Sequence, residues 1–142
     1  MSCTNGNVFK LGKMVIPVNV SGNHWCLVVA HVTEGRVQYY DPKGGPGWRY
    51  LEGLKQFFVQ EAQKHPGDPV AAGVANWAVV PTKVWEGGVC VTPQQCNGVD
   101  CGVFTCYFAN YISAGKALAF AQHHIPLFRR RLTLDLLNKA VL

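Results

Sequence analysis

The hydrophobic and polar positions change period part-way along the chain. Met14 to Val18 and Trp25 to Val32 are rich in branched apolar residues and flank Ser21-Gly22-Asn23, so they are expected to be neighbouring strands. Arg36 to Tyr40 reads as a third strand, and Glu34-Gly35 before it is a tight-turn signal that makes the second and third strands an antiparallel hairpin. Beyond the Pro42-Lys43-Gly44-Gly45-Pro46-Gly47 loop, Leu51, Leu54, Phe57, Phe58 and Ala62 recur at steps of three and four, the period of an amphipathic helix. His65-Pro66-Gly67-Asp68-Pro69 ends it. Asn76 to Pro81 is expected as a fourth strand, and Trp85 to Thr92, broken by Gly87-Gly88, as a loop or short strand.

From Gly102 onward Val103, Phe104, Cys106, Tyr107, Asn110 and Tyr111 suit a buried helix with Asp100 as its capping residue. Ala117 to His123 and Phe128 to Leu142 read as two more helices, the last with Leu132, Leu136 and Leu137 as its core stripe. A β-rich front and a helical back make an α+β chain, with no repeats and no low-complexity segment.

Composition narrows the class. The 142 residues are 49% hydrophobic and only 15% charged, enough apolar material for the core of one globular domain. Neither a membrane-spanning apolar run nor a signal-peptide plan is present, so the expectation is a soluble intracellular protein of the nucleus or cytoplasm, without a membrane partner. Six cysteines (Cys3, Cys26, Cys90, Cys96, Cys101 and Cys106) then read as thiols, and the series Cys96, Cys101, Cys106 is only a weak zinc signal. The net charge is +5, and Arg129-Arg130-Arg131 is expected to be a solvated helix face, not a nucleic-acid site.

The chemistry concentrates in Pro93-Gln94-Gln95-Cys96-Asn97-Gly98-Val99-Asp100-Cys101-Gly102. A cysteine at a helix start meets unpaired N–H groups that favour a thiolate and can hold an oxyanion. It becomes a catalyst only with a base in reach, and the chain offers His24, opening one strand, and Asp41, closing the next. Two hairpin strands and a turn return the chain to the edge it left, which makes His24 and Asp41 neighbours. Taken singly, such a cysteine is usually a buried hydrophobe, such a histidine a packing residue, and Asp before Pro a turn former.

Together the residues resemble a known family, the Ulp1-like (SUMO/sentrin-specific) cysteine proteases of clan CE. The resemblance is carried by Ile16-Pro17-Val18-Asn19 before His24-Trp25, by Tyr39-Tyr40-Asp41, and by Pro93-Gln94-Gln95-x-Asn97-Gly98-x-Asp100-Cys101-Gly102-Val103-Phe104-x-Cys106, with an Arg-rich closing helix. It runs from about Val15 to the C-terminus. It implies a papain-like, adenain-like fold: a central, mostly antiparallel sheet flanked by helices, in one domain over residues 1–142. Within it, residues 14–142 would be the catalytic core and 1–13 a non-matching N-terminus, the family's N-terminal helical segment being largely missing.

The resemblance further implies that Cys101 is the nucleophile, His24 the general base and then acid, Asp41 the residue that orients the imidazole, and Gln95 a side-chain donor to the oxyanion. Trp25 looks like the aromatic wall of a channel that admits a diglycine tail. The implied reaction is cleavage after the Gly-Gly end of a ubiquitin-like modifier, SUMO ahead of NEDD8 or ubiquitin, and it needs no metal or organic cofactor. A truncated, catalytically silent modifier-binding module is the alternative.

Overall fold

The computed structural model describes residues 6–140; Cys3 and the Val141-Leu142 end of the last expected helix lie outside the described residues. The central sheet has the order β1-β2-β3-β4, with β1 Lys13–Val20, β2 His24–His31, β3 Arg36–Tyr40 and β4 Ala78–Val80. The first three strands are antiparallel, with registers Val18↔Cys26 and Leu27↔Tyr40, and β4 joins β3 in parallel. The expected β2–β3 hairpin forms, and Gly35 at φ 66° takes the turn position that a side chain would disfavour. A two-stranded ribbon, β5 Trp85–Glu86 and β6 Val89–Cys90, replaces the expected loop or short strand.

Because β2 is central, both of its faces are covered and it reads as a nearly unbroken apolar run. On one face Cys26, Val28, Ala30, Val37 and Tyr39 pack with Leu51, Leu54 and Phe58 of α1 (Trp48–Ala62) and with Trp77. On the other, Leu27, Val29 and Tyr40 meet Phe104 and Phe108 of α3 (Cys101–Ser113) and Phe128 of α4 (Ile125–Asn138). A short helix, α2 Pro69–Ala72, is capped by Asp68, whose carboxylate accepts from the Val70 and Ala71 amides. Among the described residues no helix is long and apolar enough to cross a membrane.

Four expectations need correction. Ala117 to Ala121 is not helical; a 3-10 turn follows at Gln122–His124, because Gly115 at φ 68° reverses the chain and the segment must lay Phe120 into the α3 core. The last helix starts earlier, at Ile125 with Pro126 in its first turn, and buries Ile125, Phe128 and Asp135; Leu136 and Leu137 point outward at 79% and 74% exposure. Trp48, Trp77 and Trp85 carry large apolar side chains that a sequence places in the core, yet only Trp77 is buried, whereas Trp48 and Trp85 are exposed. Cys106, expected inside, lies on the outer side of α3.

His31 illustrates what burial does to a titrating group. It is enclosed on the α3 face, its Nε2 is 3.0 Å from the Tyr40 hydroxyl, and desolvation, with Arg36 and Lys13 nearby, lowers its pKa from 6.5 to about 4. The unfolded chain therefore takes up this proton first as pH falls. Stability is expected to decline between pH 6.5 and about 4, by at most about 3 kcal/mol, and to be insensitive to this group above that window. Urea unfolding at a series of pH values checks it: His31→Gln, which keeps a polar partner for Tyr40 without titrating, should flatten the profile.

Candidate active site

The ends of three elements converge. β2 begins at His24, β3 stops at Tyr40 with Asp41 directly after it, and α3 begins at Cys101. Strand alternation puts His24, Cys26, Tyr39 and Asp41 on the α1 side, while Trp25 is turned toward α3, where a Cβ on Gly102 would lie 3.7 Å from its ring.

His24 Nε2 and Asp41 Oδ1 are 2.7 Å apart across 17 residues of sequence, with both side chains largely buried. Asp41 is immobilised from behind: the Lys43 amide donates to Oδ1 (2.7 Å), the Gly45 amide to Oδ2 (3.1 Å), and the Asp41 amide itself donates to the Thr82 hydroxyl. The glycines of this loop are required by contact. A Cβ on Gly45 would come within 2.5 Å of Asp41 Oδ2, and one on Gly47 within 2.1 Å of the Tyr39 ring.

With Nε2 engaged by Asp41, the other ring nitrogen of His24 is the one available to a thiol. Nδ1 is buried and has no hydrogen-bond partner. Cys101 is buried at the first position of α3, in the opening turn whose amides have no partner within the helix.

The two adjacent glutamines have separate duties. Gln94 is structural: its Nε2 donates to the carbonyls of Asp41 (3.0 Å), Thr92 (3.1 Å) and Pro93 (3.3 Å). The Gln95 amide donates to the Pro42 carbonyl at 2.8 Å, so the glutamine loop is stitched to the aspartate loop at two points. The Gln95 side chain donates to the Asn97 carbonyl, and its Oε1 is buried without a partner.

Asp100 occupies the cap position of α3, yet its carboxylate makes no cap bond. It accepts instead from Asn97 (2.7 Å), Gln122 (2.8 Å) and the Arg129 guanidinium, and these bonds hold it below the usual carboxylate range. Gln122 also takes the Cys96 amide at 2.8 Å. Arg129 lies on the exposed helix face, its side chain 49% accessible, and also ties α4 to the cysteine loop through Asp100; its spacing from Asp100 carries no local signal.

Cys26 is the neighbour that sequence reading passed over as a structural thiol. It is fully buried, lies against the Tyr39 hydroxyl and the Asp41 carboxylate, and burial foremost pushes its thiol up to about 12. Such a group stays protonated and is no nucleophile at neutral pH. The alternation of β2 puts it two residues from His24 on the same face, which was readable from the strand alone.

A family model described as "Ulp1 protease family, C-terminal catalytic domain" matches residues 3–141. The chain belongs to the Ulp1 protease family. Members are cysteine proteases, and this Ulp1-family chain has the family's fold: it superposes on a solved SUMO protease Ulp1 structure with a TM-score of 0.74 at 24% identity, covering 95% of this chain and 57% of that one. A second solved structure, the C-terminal Ulp1 protease domain in complex with Smt3, the yeast ortholog of SUMO, matches with a TM-score of 0.70 at 25% identity over 89% of this chain and 52% of that one. Mouse sentrin-specific protease 2 is 33% identical over 136 residues, which are 96% of this chain and 22% of the mouse protein. The chain thus spans about a fifth of the length of such curated relatives.

Proposed function

We propose that this Ulp1-family chain is a cysteine-type peptidase that hydrolyses the peptide or isopeptide bond following the Gly-Gly end of a ubiquitin-like modifier, SUMO being the favoured one, in a single domain whose catalytic core is residues 14–142. The observation that carries the reading is the His24–Asp41 pair, bonded through Nε2 with Nδ1 left open beside the helix that begins at Cys101.

The chemistry follows from those atoms. Cys101 gives its proton to His24 Nδ1 and attacks the scissile carbonyl; the carbonyl oxygen becomes an anion facing the first amides of α3 and the Gln95 side chain. Asp41 steadies the imidazolium. His24 then protonates the departing amine, a thioester to Cys101 remains, and water, deprotonated by His24, releases the carboxylate and restores the thiol. No metal or organic cofactor enters these steps.

For the substrate, a groove of about 390 Å³ runs beside Gly102 between Trp25, Pro17 and Val99, and Trp25 is 42% exposed there. An aromatic ring beside the side-chain-free backbone of Gly102 is a surface on which an extended glycine tail lies flat. The name of the relative bound to Smt3 favours SUMO over NEDD8 or ubiquitin.

The test is covalent labelling of the purified chain with SUMO, NEDD8 and ubiquitin probes that carry a thiol-reactive group at the C-terminus. A SUMO adduct at Cys101, absent from Cys101→Ala, is expected. A soluble, folded chain that reacts with none of them overturns the reading and favours the silent modifier-binding module. Gln95→Ala should reduce turnover about 10²-fold, equivalent to about 3 kcal/mol, without abolishing it. Single-turnover rates separate that loss from weaker binding, and Gln94→Ala should instead lower stability by removing one of the two bonds that join the loops.

A further inference from the structure

We propose that His24, Cys26 and Asp41 form a site for a thiophilic divalent cation of the zinc class, and that filling it switches the His24 base off. The metal-binding half of this proposal stands on geometry alone; the effect on turnover rests on the peptidase reading above.

The donor atoms of the three residues, a ring nitrogen, Sγ and a carboxylate oxygen, all lie within 4.8 Å of one another. Among the described residues this is the one such group of three. The donors are fixed by the fold: His24 and Cys26 are alternate residues of β2, and Asp41 follows β3 opposite Cys26, as the Leu27↔Tyr40 register requires. The proposed reaction uses His24 and Asp41 and gives Cys26 no task.

One sulfur, one nitrogen and one oxygen suit zinc, and disfavour magnesium or calcium, which take oxygen. Tetrahedral zinc holds such donors at about 2.0–2.3 Å, hence roughly 3.3–3.8 Å apart. His24 Nε2 and Asp41 Oδ1, 2.7 Å apart, need to part by roughly half an ångström or more, and Cys26 to draw in. Asp41 stays in place during this because the Lys43 and Gly45 amides hold it.

The protons balance simply. The Cys26 thiol releases its proton to solvent and binds as thiolate, and the imidazole binds through the Nε2 lone pair, so its single proton resides on Nδ1. That is the atom proposed to receive the Cys101 proton. A ring that already carries hydrogen there, with Nε2 on the ion, accepts no second one, so the filled site silences the base without touching Cys101.

Cobalt(II) is the probe, titrated into the intact 142-residue chain under a non-coordinating reductant. One equivalent should bind, with a thiolate-to-cobalt absorption band that zinc then displaces. Cys26→Ser should lose the band and bind at least about ten-fold more weakly, while Cys101→Ala keeps it. If circular dichroism shows Cys26→Ser unfolded, His24→Ala, at the strand's first residue, should likewise weaken binding ten-fold. No band, or a band that either variant leaves intact, overturns the proposal. Zinc should also suppress probe labelling of Cys101 at least ten-fold in the parent chain and not in Cys26→Ser; labelling undiminished by saturating zinc overturns the switch. A chain that never labels refutes the peptidase reading, and the cobalt titration still decides the site.

Discussion

Replacing Cys101 with alanine is expected to lower turnover at least about 10⁴-fold while leaving the fold in place. The fold should survive because the change removes one sulfur from the first position of α3, and alanine is the best helix former there. The loss is expected to be large because nothing nearby substitutes for Cys101, the proposed nucleophile. Cys26, the neighbouring buried thiol, is held protonated by its surroundings, and Cys96 is exposed on the loop ahead of the helix. Steady-state cleavage of a SUMO-linked reporter measures the effect, and thermal unfolding shows that the comparison is between folded proteins. Retention of even a tenth of the parent rate would exclude Cys101 as the nucleophile.

The second large effect is on stability. Gly47→Ala should destabilise the chain by about 3–5 kcal/mol, a large share of the 5–15 kcal/mol that holds a domain of this kind together. Two causes add. Gly47 sits at φ 71°, which a side chain disfavours, and its new Cβ would lie 2.1 Å from the buried Tyr39 ring, which itself stacks on Tyr50. Gly53→Ala is the control, since it is an ordinary helical position with open space around it and should be neutral or slightly stabilising. Urea titrations of the two variants should bracket the parent.

The elements of the sheet were legible because each strand carries its own period or turn signal, and the hairpin geometry alone made His24 and Asp41 neighbours, as the 2.7 Å contact bears out. The helix over Leu51 to Ala62 was legible for the same reason. What failed were judgements about facing that depend on distant parts of the chain. Leu136 and Leu137 continue a helical stripe on paper, but α4 packs through Ile125, Phe128 and Leu132, and the face it buries in its last turns carries Asp135 instead of the leucines. Ala117 to His123 has helix-forming residues, but tertiary packing of Phe120 keeps Ala117 to Ala121 out of a helix and leaves only a 3-10 turn at its end. Arg129 and Gln122 gripping Asp100 are contacts across 29 and 22 residues, and no local pattern announces such a pairing. Cys26 was missed for a different reason: a buried thiol among valines is ordinary, and only its place opposite Asp41 makes it chemically interesting.

The two bonds joining the glutamine loop to the aspartate loop make those loops one mechanical part. Asp41 holds His24 and Gln95 is the proposed oxyanion donor, so the positions of the two residues are coupled. A disturbance that frees one loop loosens the other, so the precision of the site is shared by two segments that lie 53 residues apart in sequence.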